Sequence, residues 1–227
     1  MAIYKNTPPI ATNGLVLHLD AGSRMSYTSG STTWRDLSGN ANDGTLTNGP
    51  GFDSAQQGSI FFDGVNDFVT GSIPTLSSWT MTFWYKSYNI SSAAVYYPFS
   101  CNAVVNVNQS SGIGFGGTFS SSTINRWYFY DSVYTFSNVN TSIVINQWYN
   151  LVVTKTGTSY NLYTNGVLSI SGTGYNLNLT LYNLGRRGDA AWYVSGSIAQ
   201  ASIYNRALSQ AEITQNYNAL KSRFGLT

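Results

Sequence analysis

Short runs of alternating apolar and polar residues, each ended by Gly, Asn, Asp or Ser, recur along most of this chain. Side chains of a strand point to opposite faces with period two, so such runs fold as strands with one buried face. In Trp79–Lys86, one face carries Trp79, Met81, Phe83 and Tyr85, and the other Thr80, Thr82, Trp84 and Lys86. Leu15, Leu17 and Leu19 alternate with Val16, His18 and Asp20. Ile60-Phe61-Phe62 and Phe68-Val69 flank the turn-like Asp63-Gly64-Val65-Asn66. Strands from Trp148 and from Tyr160 meet about a turn at Thr156-Gly157, and Asn165-Gly166 closes a two-residue hairpin. Asn-Gly suits that hairpin because a type I′ turn needs positive φ at both central residues. Leu177, Leu179 and Leu181 alternate with Asn178, Thr180 and Tyr182, and Ile198–Tyr204 reads as the last strand. Ser87–Val139, rich in Ser, Asn, Tyr and Gly, is less regular and reads as strands with long loops.

One helix is signalled, over about 209–224. Ser209 and Glu212 form a capping box, and Leu208 and Ile213 a hydrophobic staple. Ile213, Tyr217, Leu220 and Phe224 share a face, and Gly225 ends the helix. About a dozen strands and one terminal helix predict an all-β fold, a two-sheet antiparallel jelly-roll sandwich closed by pairing of its terminal strands. Residues 1–13, with Pro8-Pro9, read as an extended arm, and residues 14–227 as one domain.

Composition narrows the function. Cys101 is the only cysteine, so no internal disulfide forms, and with His18 the only histidine a His/Cys zinc site cannot be assembled. The formal charge is +2, too close to neutral for a nucleic-acid binder. No apolar run reaches the ~18 residues of a membrane-spanning helix, and the first residues have no apolar core of a secretory signal. The sequons at Asn89, Asn108, Asn140 and Asn178 therefore read as products of an Asn- and Ser-rich composition. Charged residues are only 9% of the chain, so its surface is polar but weakly repulsive, which with 17 tyrosines permits a homo-oligomer.

Several stretches resemble a family. Gly58-Ser-Ile-Phe-Phe-Asp-Gly-Val-Asn-Asp-Phe-Val, Trp79-Thr-Met-Thr-Phe-Trp-Tyr, Trp148 with Tyr160-Asn-Leu-Tyr-Thr-Asn-Gly, and Gly196–Ile213 resemble, in order and spacing, the laminin G-like, concanavalin A-like jelly rolls. More narrowly, Gly14–Gly22, Thr33–Asn40, Gly44–Pro50 and Asn216–Gly225 are similar to lectin-like domains of tailed-phage virion proteins. The resemblance implies a lectin-type scaffold and raises two chemistries, glycan hydrolysis and structural calcium.

Neither chemistry is the favoured reading. Glucanases of this fold share a Glu-x-Asp-x-x-Glu strand; here the sole glutamate, Glu212, is used by the helix cap, and no such motif occurs. His18 sits in a strand without a Gly-x-Ser-x-Gly elbow, so Ser-His-Asp catalysis is not expected. Gly112-Ile-Gly-Phe-Gly-Gly lacks the Lys-Ser/Thr and helix of a phosphate loop. For calcium, Asp36, Asn40 and Asp43 cluster oxygen atoms in one loop, which also reads as a set of Asx-turns. Family members with a ligand Asp on the closing strand read Gly-x-Ile-Asp-Glu, where this chain has Ala199 and Gln200, so Asx-turns are preferred and no cofactor is expected.

Sugar sites join aromatic faces to hydrogen-bonding side chains. In Arg126-Trp-Tyr-Phe-Tyr-Asp, Tyr128 and Tyr130 face outward beside Asp131 if Trp127 and Phe129 face the core, and Tyr96, Tyr97 and Trp192 in loops add to the set. The expectation is a non-enzymatic phage virion surface protein, a capsid decoration or fibre component, made in the host cytoplasm. Its partners are other virion proteins and cell-surface glycans, and the Pro-containing arm docks by strand addition. The alternative is a free or cell-surface carbohydrate-binding lectin or adhesion module.

Overall fold

The computed structural model describes residues 9–89, 95–101, 111–116, 126–130, 136–174, 178–187 and 193–227. Of residues 95–97, 101, 111–116, 126–130 and 136–142 it describes the backbone alone. The first strands are β1 (Leu15–Asp20), β2 (Thr33–Trp34), β3 (Gly44–Thr47), β4 (Gly51–Asp53), β5 (Ser59–Asp63) and β6 (Phe68–Leu76). Next come β7 (Trp79–Ser87), β8 (Val95–Cys101), β9 (Ser111–Gly116), β10 (Arg126–Tyr130) and β11 (Phe136–Ser142). The last are β12 (Trp148–Thr156), β13 (Ser159–Thr164), β14 (Val167–Gly172), β15 (Leu179–Leu184) and β16 (Ser195–Tyr204), followed by helix α1 (Gln210–Leu220).

These strands form two antiparallel sheets. One runs β14-β13-β12-β7-β16-β5-β4, with β1 also on β16; the other runs β11-β10-β9-β8-β15-β6-β3-β2. The expected jelly-roll sandwich is therefore the fold, closed by its terminal strands β1 and β16. β16 pairs with β7 along one edge and shares the other between β5 and β1. A bulge at Ala199 separates the two partners, and its carbonyl accepts the Ala21 N–H where β1 ends. The turn Asp63–Asn66 passes the chain from one sheet to the other, since β5 and β6 lie in different sheets. The Asn165-Gly166 turn has φ of 51° and 79°, the positive pair a type I′ hairpin needs.

The inward faces meet in one core. Trp79, Met81, Phe83 and Tyr85 lie in it with Leu17, Leu19, Phe62, Leu151, Val153 and Tyr182. The expected inward register of β15 is corrected at Leu181: the ladder shifts between Leu179 and Leu181, so Tyr182 turns inward and Leu181 is half-buried. The Tyr182 hydroxyl is satisfied by donating to Asn42 O at 2.9 Å.

The outward face of the first sheet is buried as well, under α1 and the tail. Ser209 caps the helix by the expected reciprocal bonds with Glu212, and Arg206 pairs with the Glu212 carboxylate. Arg206 and Ser209 together hold that carboxyl at about 2, well below its ordinary range. Ile213 packs on Val152, Tyr163 and Tyr204. Tyr217 and Phe224 stack on Trp84, with centroids 5.7 and 4.2 Å away. The helix also fixes the described end of the expected docking arm. Asn216 Oδ1 accepts the Ala11 N–H at 2.8 Å, the Tyr204 hydroxyl donates to Ala11 O at 3.0 Å, and Gln215 donates to Pro9 O. Pro9–Asn13 is thus bound to its own domain.

Candidate binding groove

A groove of about 410 Å³ runs along the side of the sandwich, between the loop 21–32 and β4 with the turn after it. That is within the size range of small-ligand sites. Tyr27 and Phe52 form its floor, with ring centroids 5.5 Å apart. Tyr27 is buried against Trp34 and fixed by its hydroxyl, which donates to Ser31 O at 3.2 Å. Phe52 is half-buried, because it lies on the edge strand and reaches the core only with one side. Arg24, Ser29, Ser54 and Gln57 stand exposed around these rings.

One wall is strained and rigidly held. Gln56 and Gln57 are consecutive non-glycine residues with φ of 48° and 71°. Such conformations cost about 1–3 kcal/mol each and persist where surrounding contacts over-determine them. Arg223 supplies those contacts. Its Nε donates to Gln56 O at 2.6 Å, its Nη2 to Gly58 O at 2.7 Å, and its Nη1 pairs with Asp20 at 2.7 Å. Only guanidinium has donors spread in a rigid fork to do this. Gly58, at φ 130°, must be glycine: a Cβ there would stand 2.5 Å from Ala21 O. The C-terminal segment that covers the sheet thus also shapes the groove wall. Aromatic carbon, hydroxyls, an amide and a guanidinium suit non-covalent capture of a polar molecule with an apolar face.

The loop considered for calcium is organised differently. Asp36 Oδ1 accepts the His18 and Ser38 N–H groups, each at 2.8 Å, and Oδ2 accepts Ser38 Oγ at 2.7 Å and Asn42 N–H at 3.0 Å. All four lone-pair sites of the carboxylate are engaged. Asp43 accepts the Asp36 N–H, and Asn40 donates to Leu15 O. These residues form Asx-turns that pin the loop to β1, and they do not fit the open oxygen shell a calcium ion requires.

The sequence model described as the concanavalin A-like lectin/glucanases superfamily matches residues 63–214. The chain belongs to that superfamily. No curated protein sequence matches it. Among solved structures it is similar to Trypanosoma rangeli sialidase in complex with the inhibitor DANA, at a TM-score of 0.69 and 14% identity, over 100% of this chain and 36% of that one. The chain thus spans about a third of that enzyme's length. Domain 4 of AbnA, a GH43 extracellular arabinanase from Geobacillus stearothermophilus, in complex with arabinotriose, matches at a TM-score of 0.65 and 16% identity, over 89% of this chain and 98% of that one. The binding domain of Paraclostridial Mosquitocidal Protein 1 matches at a TM-score of 0.66 and 17% identity, over 92% of this chain and 52% of that one.

The superfamily's description includes glucanases, whose chemistry needs paired acids. Glu212 is committed to the helix cap and Arg206. Asp63 and Asp67 share one turn: Asp63 Oδ1 accepts the Val65 N–H, and burial followed by the charge of Asp63 pushes the Asp67 carboxyl up. Neither lines the groove. His18 Nδ1 lies 2.8 Å from Ser202 Oγ, a contact sequence reasoning missed because the two are 184 positions apart. Ser202 also accepts from Gln200, and both line a space of only about 10 Å³ under α1. That holds one water and admits no substrate.

His18 instead predicts a pH response. Burial lowers its pKa from 6.5, against the raising effects of Asp20 and Asp36, and Arg223 adds to the lowering. Below 6.5 the unfolded chain takes up a proton that the folded chain resists, so stability falls with acidification until the folded value is reached. The melting temperature should therefore drop between pH 7 and 5, and His18→Gln should flatten that slope. An unchanged slope in the variant would mean the ring is not the buried neutral group.

The aromatic set expected from sequence falls largely outside the described residues. Asp131 and Trp192 lie outside them altogether, as do the side chains of Tyr96, Tyr97, Tyr128 and Tyr130. By backbone, Tyr128 and Tyr130 pair in register with Gly114 and Gly112. Tyr96 and Tyr97 lie in β8, which corrects their placement in a loop. The β-forming run Val95-Tyr-Tyr-Pro-Phe is accommodated as a strand because the ladder shifts between Tyr96 and Phe99, around Pro98, which has no N–H to donate.

Proposed function

We propose that this chain is a non-enzymatic glycan-binding module at the surface of a phage particle. The groove carries the first part of this reading: an aromatic floor ringed by exposed polar groups, with one wall fixed by Arg223. A pre-formed wall lowers the ordering cost of binding. The likeness to an arabinanase domain whose structure contains arabinotriose, over 98% of that domain, supports it. The location is proposed from the sequence alone, where Gly14–Gly22 and Thr33–Asn40 resemble lectin-like domains of tailed-phage virion proteins.

A glycan array with wild type, Gln57→Gly and the double variant Tyr128→Ala/Tyr130→Ala tests the binding. Gln57→Gly removes the side chain and relieves the left-handed strain, so the fold is retained. It should weaken binding about tenfold, whereas the tyrosine variant should leave it intact. Loss in the tyrosine variant alone would move the site to β10, and no binding by wild type at millimolar glycan would end the reading. Electron microscopy of particles should place the domain at regular surface positions; a protein found only free would favour the lectin alternative.

A further inference from the structure

We infer that the groove selects acidic saccharides, with Arg24 pairing with a sugar carboxylate. This rests on the glycan-binding reading and adds the class of sugar. Among the described residues lining the groove, Arg24 is the only charged one. Of the acids nearby, Asp20 is offset by a cation, whereas Asp53 keeps its charge but is held in its own turn and does not line the groove. Asp20 is paired with Arg223 at 2.7 Å and accepts the Gly22 N–H at 2.8 Å, and Asp53 accepts the Ala55 N–H of its own turn at 2.9 Å. The second guanidinium close by, Arg223, is buried and spends its donors on Asp20, Gln56 and Gly58. Arg24 is exposed beside Tyr27 and Phe52.

The chain carries only 11 basic and 9 acidic residues, so few surface charges offset one guanidinium in a groove whose other lining residues are uncharged. A guanidinium fork matches the two oxygens of a carboxylate, while the half-buried Phe52 ring, backed by Tyr27, accepts the sugar's C–H face. Neutral sugars could use the rings and amide but would leave Arg24 without a partner.

The test uses the full chain and oligosaccharide pairs: galacturonate, mannuronate and sialylated oligomers, each beside its carboxyl-reduced or desialylated neutral form. In 20 mM salt the acidic member of at least one pair should bind about tenfold more tightly. That preference should shrink in 500 mM salt, because an exposed pair is screened. Arg24→Gln should abolish the preference by weakening the acidic member about tenfold more than its neutral partner, and Arg24→Lys should retain part of it. Equal binding of both members, or a preference that survives Arg24→Gln, overturns this inference while the glycan-binding reading stands. Failure of every pair overturns both.

Discussion

Trp84→Ala should lower the unfolding free energy by about 3–5 kcal/mol, the usual cost of emptying a large aromatic site. Trp84 is fully buried on the outward face of β7. Its ring lies nearly parallel to Tyr217 and Phe224, at 12° and 20°, and Phe224 also touches Trp148 at 4.7 Å. These contacts, with Leu220 and Leu226, hold the C-terminal segment to the sheet. The loss should appear as a fall of about 6–20 °C in melting temperature, at roughly 2–4 °C per kcal/mol for a domain of this length. Trypsin should also gain access at Lys221 and Arg223 before the sheets unfold. A loss below 1 kcal/mol would show that the segment is held by something other than this stack.

Arg223→Ala should act on both stability and binding. Its side chain is 5% exposed and the partner Asp20 18%, so the variant leaves a largely buried carboxylate without its cation. Removing one member of such a pair costs about 3–5 kcal/mol, and the residual exposure of Asp20 puts the expected loss near 3. It also frees Gln56 and Gly58, so the left-handed turn can relax and the groove wall loosens. Arg223→Lys separates the two effects. Lysine keeps a charge for Asp20 but lacks the fork that reaches both carbonyls, so most stability should remain while glycan affinity falls about tenfold. Chemical denaturation and calorimetric titration of the two variants check this. Full affinity in the lysine variant would show that the strained turn has no part in binding.

The two variants also show why the site was less legible than the fold. Trp84 was placed on the correct face of its strand by alternation alone, opposite Phe83 and Tyr85. What alternation did not reveal was that this second face would be dry, because the cover comes from Tyr217 and Phe224 in the terminal helix. The groove had no local signature. Tyr27, Phe52 and Gln57 are unremarkable in their own segments, and no pattern of residues marks Gln56 and Gln57 as left-handed. Tyr128 and Tyr130 do stand out in the sequence, as alternate rings beside Asp131 in one run, but their side chains and Asp131 lie outside the described residues.

By itself, the sequence determined the strands β1, β5, β7, β12, β13 and β16, the Asn165-Gly166 hairpin, the Ser209–Glu212 cap and the staple of Leu208 and Ile213. Each depends on stereochemistry between residues a few positions apart, so it can be read along the chain. The tertiary structure alone decided that β5 and β6 enter different sheets, that bulges reset β15 and β16, and that loop 21–32 meets β4 in a groove. It also brought Arg223 to Asp20, 203 positions away, and to the turn at Gln56. Such contacts arise only when the sheets have packed and the helix has closed over them, since their energy comes from distant groups excluding water together.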